Sequence, residues 1–170
     1  MSELKRVSGI DIDEQMEYQW REWRVHRIGW VIFALILVAA LLGLFGQGPL
    51  SHASAGERGS ELALNYERLD RYRAPSQLDI TLGPNVSQEG KVRLALNQGF
   101  LARVEIERIS PEPESVEAGP DATTYVFRVA APDQPAQVRF DFEYEKFGPT
   151  QGEVRLEGGP TLRFDAFVFP

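Results

Sequence analysis

From Ile28 to Gly56 the chain carries no Asp, Glu, Lys or Arg, and from Ile28 to Phe45 it is almost purely apolar. Such a run cannot remain in water as an exposed helix, and nothing in it is polar enough to require water. At 1.5 Å rise per residue, about 18–20 residues cross a hydrocarbon core of about 30 Å. A helix also satisfies its own backbone hydrogen bonds, which lipid cannot do for it. Gly46-Gln47-Gly48-Pro49 then breaks the helix, because Gly frees the backbone and Pro cannot continue it. The run therefore predicts a transmembrane helix over residues 28–46. It divides the chain into a cytoplasmic arm (1–27), the span, a linker (47–60) and a folded domain (61–170).

Direction follows from the flanks. Arg21, Arg24 and Arg27 crowd the N-terminal side, whereas the first basic residue beyond the span is Arg58. The positive-inside rule puts the N-terminus in the cytoplasm and the C-terminal domain outside, periplasmic or extracellular, on a cell inner membrane. Trp20, Trp23 and Trp30 gather at the inner boundary, where an indole buries its ring and keeps its N–H wet. The competing reading is a secretory signal peptide cleaved at Ala53-Ser54-Ala55. Against it stand an apolar run longer than a signal core and six acids before it: Glu3, Asp11, Asp13, Glu14, Glu17 and Glu22.

In the arm, Ile12, Met16, Trp20 and Trp23 recur at helical spacing, so an amphipathic helix on the inner leaflet or a plain extension of the span both fit. Within the span, Ala39 and Gly43 form a small-xxx-small pair that would allow close helix packing. The span holds no ionisable group, which argues against a proton path.

After the linker, apolar and polar residues alternate. Val138, Phe140, Phe142 and Tyr144 interleave with Arg139, Asp141, Glu143 and Glu145. Leu78-Ile80-Leu82, Val92-Leu94-Leu96, Val104-Ile106, Tyr125-Phe127-Val129 and Val154-Leu156 repeat the pattern. Leu62-Leu64-Tyr66 reads as an opening strand or a helical turn. Leu162 to Phe169 is apolar on both parities at its end, as a strand buried on both faces would be. Turn signals at Gly83-Pro84-Asn85, Gln88-Glu89-Gly90, Pro132-Asp133, Gly148-Pro149 and Gly158-Gly159-Pro160 separate the strands, and Ser110–Ala122 reads as the longest loop. The fold class is mainly β: a β-sandwich of immunoglobulin or fibronectin type, with a small β-barrel as the alternative. The layout resembles that of single-pass bacterial membrane proteins with an exported β-sandwich, and that resemblance implies no activity.

Chemistry is sparse. The chain has no Cys, and its two histidines, His26 and His52, both precede the β-domain. Ser-His-Asp and Cys-His arrangements cannot be assembled beyond Ser60, and imidazole- or thiolate-bound metals are excluded there. No P-loop, G-x-S-x-G or dinucleotide motif occurs. A net charge of −7 argues against nucleic acid. What remains is carboxylates: Asp141, Glu143, Glu145, Glu105 and Glu107 on strand faces, and Glu112, Glu114, Glu117 and Asp121 in a loop. A solvated, salt-bridged face explains them better than a hydrolase pair.

Arg68, Arg71 and Arg73 form a basic cluster soon after the linker, suited to lipid headgroups or a partner. Tyr66, Tyr72, Phe100 and Phe147 are the candidate exposed aromatics for a glycan platform. The sequence thus predicts a non-catalytic accessory or assembly protein without cofactor or metal. Its partners would be the bilayer and another membrane protein, and a glycan- or lipid-binding module is the alternative.

Overall fold

A computed structural model describes residues 16–41, 51–57, 59–87 and 90–170, with helix side chains described from Trp23 onward. The chain divides into two units at Val38/Ala39.

The first helix, α1, runs unbroken from Met16 to Leu41, continuing straight through the arm boundary at residue 27. Its segment Trp23–Leu41 has 19 residues and a mean hydropathy of 1.8, and none of it is buried against protein. It is long and apolar enough to cross a membrane, at about 28 Å, although a signal sequence meets the same test. The Arg27 guanidinium lies 4.7 Å from the centre of the Trp23 ring, and Trp30 meets Phe33 edge-on. Ile12 and Gly43 fall outside the described residues, as do the side chains of Met16, Trp20 and Arg21.

The β-domain contains two open sheets among the described residues. The first has the order β1 (His52–Ala55), β2 (Leu62–Glu67), β4 (Pro75–Leu82), β9 (Ala136–Tyr144), β6 (Val104–Ser110), all antiparallel. The second has the order β3 (Leu69–Arg71), β11 (Thr161–Phe169), β10 (Gly148–Leu156), β5 (Lys91–Asn97), β8 (Ala122–Arg128), β7 (Ser115–Ala118). It is antiparallel except where β3 runs alongside β11. Neither sheet closes, so the barrel alternative does not hold.

Period-two alternation decides which side chains turn inward. Leu78, Ile80 and Leu82 of β4 share one core cluster with Val138, Phe140, Phe142 and Tyr144 of β9, and with Val92, Leu94 and Leu96 of β5. Aromatic edges cross between the sheets: Tyr125 of β8 lies 5.2 Å from Phe140 of β9, at 79°. The opening segment Leu62–Glu67 is a strand, not a helical turn.

Four expectations are corrected. The linker contains strand β1, and the Ser110–Ala122 loop contains strand β7. Both are held by backbone ladders, to β2 and β8; β1 adds only Ala55 against the core, and β7 is exposed along its whole length. Gly148-Pro149 opens β10 instead of marking a turn. There β10 has a ladder partner only in β11, since its pairing with β5 begins at Val154, and Pro is tolerated where no N–H is needed. The end of β11 alternates strictly: Val168 is buried while Phe167 is 44% exposed. Gln88 and Glu89 of a predicted turn lie outside the described residues.

Candidate functional site

The strand-face carboxylates do not converge on a pocket. Asp141 and Glu143 of β9 lie on the outer face of the first sheet, with Glu105 of β6 directly opposite Glu143 and Arg108 opposite Asp141. Glu107 occupies the bulge between Ile106 and Arg108. One row along, Arg139 Nε reaches Asp79 Oδ1 at 2.6 Å. On the second sheet the acids are shared out among bases. Glu114 takes Arg128 and Lys91, whose hydrogen bonds hold its pKa below the usual range. Glu153 is likewise lowered by Arg163 and Arg155, and Arg93 bridges Glu117 and Glu157. Exposed pairs of this kind contribute little stability each.

Two inward-lying carboxylates are ones the strand pattern does not single out: Asp70, which is buried, and Glu67, which is half-buried. Asp70, in β3, is 6% exposed. Its Oδ1 accepts the Arg71 N–H at 2.8 Å, while Oδ2 has no hydrogen-bond partner. Glu67, at the end of β2, lies 2.6 Å through Oε1 from His52 Nδ1, and its Oε2 is also buried without a partner. The predicted linker histidine is thus drawn onto the β-domain. Burial raises the Asp70 pKa, against the Ser76 hydroxyl and the Arg71 N–H, and the Glu67 charge adds to the rise. Burial likewise raises the Tyr144 phenol, helped by Asp70. Among the described residues no group of three or more His, Asp or Glu is placed to hold a metal ion.

The sign of the Asp70 effect is fixed. A carboxyl with a raised folded-state pKa binds its proton more tightly folded than unfolded, so stability falls as pH rises from the unfolded value near 4 through the folded one. Asp70→Asn removes that penalty. It is expected to gain stability on the order of 1 kcal/mol at pH 7, with the gain shrinking as pH falls through the folded-state value and gone by about pH 4. Paired urea titrations of wild type and variant at both pH values check this; a loss at pH 7 would mean the carboxylate is well served as it stands.

The third surface is the free edge of the second sheet. β3 pairs Leu69 with Phe167, Asp70 with Val168 and Arg71 with Phe169 of β11. Because Asp70 and Val168 point inward, Leu69, Phe167, Arg71 and Phe169 form the outer rows. The Phe167 and Phe169 rings meet at 5.0 Å, and Tyr72 carries the Arg73 guanidinium 5.5 Å from its ring centre. Arg73 itself adopts a left-handed backbone, φ 53°, and donates its N–H to Tyr144 O. Phe147, 66% exposed, sits in the β9–β10 turn just before Gly148, which pairs with Val168 across β11 from Asp70; its carbonyl is held by Arg103 Nη2 at 2.9 Å. Arg68, Arg71 and Arg73, the predicted basic cluster, are therefore brought to the same end of the sheet as exposed aromatics, and all three are exposed without an acidic partner among the described residues.

Of the aromatics named from sequence, Tyr72 and Phe147 are exposed. Phe100 is buried, at 1% exposure, and Tyr66 packs on Phe164 at 5.1 Å. Phe167 was missed, because alternating neighbours on both parities conceal which face a residue takes. Asp70 was missed because β3 inverts the usual pattern, turning Leu69 out and the acid in.

On the opposite side, β6 and the segment leading into β7 border an open groove of about 650 Å³, lined by Ile106, Ile109 and Val116 with Glu107, Arg108 and Glu112 at its rim. No protein-family model and no curated protein matches this sequence. Fold and surface define a mainly β protein with one N-terminal apolar helix.

Proposed function

We propose that this chain is a non-catalytic, single-pass accessory or assembly protein of the cell inner membrane. In this reading α1 is the anchor, the N-terminus is cytoplasmic, and the exported β-domain, a sandwich of immunoglobulin or fibronectin type, binds another membrane protein. One observation carries it: the apolar side chains of Trp23–Leu41 are exposed all round, and an apolar surface of that extent needs lipid or protein to cover it. Arg24 and Arg27 at its start support the direction, since basic residues stay on the cytoplasmic side. The groove between β6 and β7 supplies a surface for the partner: two open strand edges with Val116, 52% exposed, between charged rims.

Gentle extraction of native membranes followed by native electrophoresis and mass spectrometry tests this reading. A complex larger than the monomer is expected, and Val116→Glu should weaken it. Free monomer alone under mild detergent would count decisively against it. A second reading, a module for an extracytoplasmic glycan or lipid, is favoured by the exposed Phe147 and Phe167.

A further inference from the structure

Most arginines of the β-domain are engaged. Arg93, Arg128, Arg139, Arg155 and Arg163 each bond a carboxylate, and Arg103 bonds Thr150 and the Phe147 carbonyl. Arg68, Arg71 and Arg73 do not, nor does Arg108 on β6 at the far edge, although the chain has 25 acids against 18 bases. Three unmatched guanidinium groups in an acidic protein would be expected to scatter or to find acids. Here they fall in and around the edge strand β3, next to Tyr72, while the neighbouring β11 carries exposed Phe167 and, across it, exposed Phe147 precedes β10. Glu67 and Asp70 flank them in sequence, but Glu67 pairs with His52 and Asp70 takes the backbone N–H of Arg71, and no guanidinium of the three bonds either.

The same edge lies where the chain arrives from α1. The Arg68 N–H donates to Ser51 O at 2.6 Å, and β1 begins at His52. Only nine residues separate Ser51 from Leu41, the end of α1. Whatever their conformation, they reach at most about 35 Å. A surface tied this closely to a membrane anchor meets headgroups at high effective concentration. Guanidinium groups bind phosphate through paired N–H donors, and aromatic rings settle at the boundary between headgroup and acyl chain.

We infer that the β3 edge rests on the bilayer, with Arg68, Arg71 and Arg73 binding anionic lipid phosphates and Phe147, Phe167 and Tyr72 entering the interface. The inference rests on the anchored reading above.

Because the chain has no Cys, single labels can be placed cleanly. The full chain is reconstituted in vesicles with and without phosphatidylglycerol, carrying a spin label at Phe147→Cys, Val116→Cys or Leu35→Cys. Accessibility to oxygen and to a water-soluble nickel chelate is then read at each site. At position 147 an oxygen-to-nickel ratio several-fold above that at position 116 is expected in anionic vesicles only, fading in high salt. Replacing Arg68, Arg71 and Arg73 by Gln should lower the docked population about a hundredfold, roughly fivefold per charge. An unchanged label spectrum at position 116 would show that the domain remains folded. A core signal at position 35 with a fully wet position 147 overturns the inference and leaves the anchor intact; a wet position 35 overturns the anchor itself. Protection of position 147 in native membranes but not in pure lipid would assign the edge to a protein partner and overturn lipid docking.

Discussion

Phe100→Ala is expected to cost about 3–5 kcal/mol, a large share of what holds a domain of this size together. Phe100 sits in α2 (Gln98–Leu101), the single turn that carries the chain from β5 in one sheet to β6 in the other. Its ring meets Phe142 at 5.4 Å and Tyr144 at 6.4 Å in the first sheet, and Phe164 at 5.2 Å in the second, all nearly edge-on. Truncation would remove three aromatic contacts and leave a void that two hydrogen-bonded sheets can close only in part. The thermal midpoint should fall by roughly 10–20 °C. Phe147→Ala is the control, because at 66% exposure its loss should change stability by less than about 0.5 kcal/mol. Calorimetry of both variants in the same detergent decides the matter, and similar small losses would place Phe100 outside the core.

Gly152→Ala should be nearly as damaging although it adds one methyl group. Gly152 in β10 lies opposite Phe164 of β11, and the Phe164 ring rests on the glycine backbone. A Cβ there would come within 2.0 Å of Phe164 Cζ and 2.2 Å of Cε1. The ring has nowhere to retreat: it is buried between Tyr66 at 5.1 Å and Phe100 at 5.2 Å. Overpacking of this kind costs roughly 3 kcal/mol. If the ring is the cause, Gly152→Ala combined with Phe164→Leu should be more stable than the sum of the two single losses, because the smaller side chain frees the space the methyl needs. Strict additivity in urea titrations would sink this account.

How far the sequence could be read follows from how local each signal is. Strand β9 was plain in Val138-Phe140-Phe142-Tyr144, and Arg139 between them was correctly expected to point outward into an ion pair. β7 was not, because Ser-Val-Glu-Ala carries no inward apolar side at all and exists through its ladder to β8. Phe100 followed a run of polar and glycine residues and read as an exposed ring; only the crossing of α2 between the sheets buries it. The basic cluster was visible as three arginines in six residues. That it joins Phe147 and Phe167 depends on β3 pairing with β11, a contact between distant parts of the chain.

The sequence by itself determined the apolar helix and the parity of most strands, since both rest on the spacing of neighbouring side chains against water. The tertiary structure alone decided which edges lie side by side, which acids are shut away from solvent, and where a glycine must stay bare. Those outcomes depend on what a distant strand brings to the same place, and a pattern of near neighbours holds no record of it.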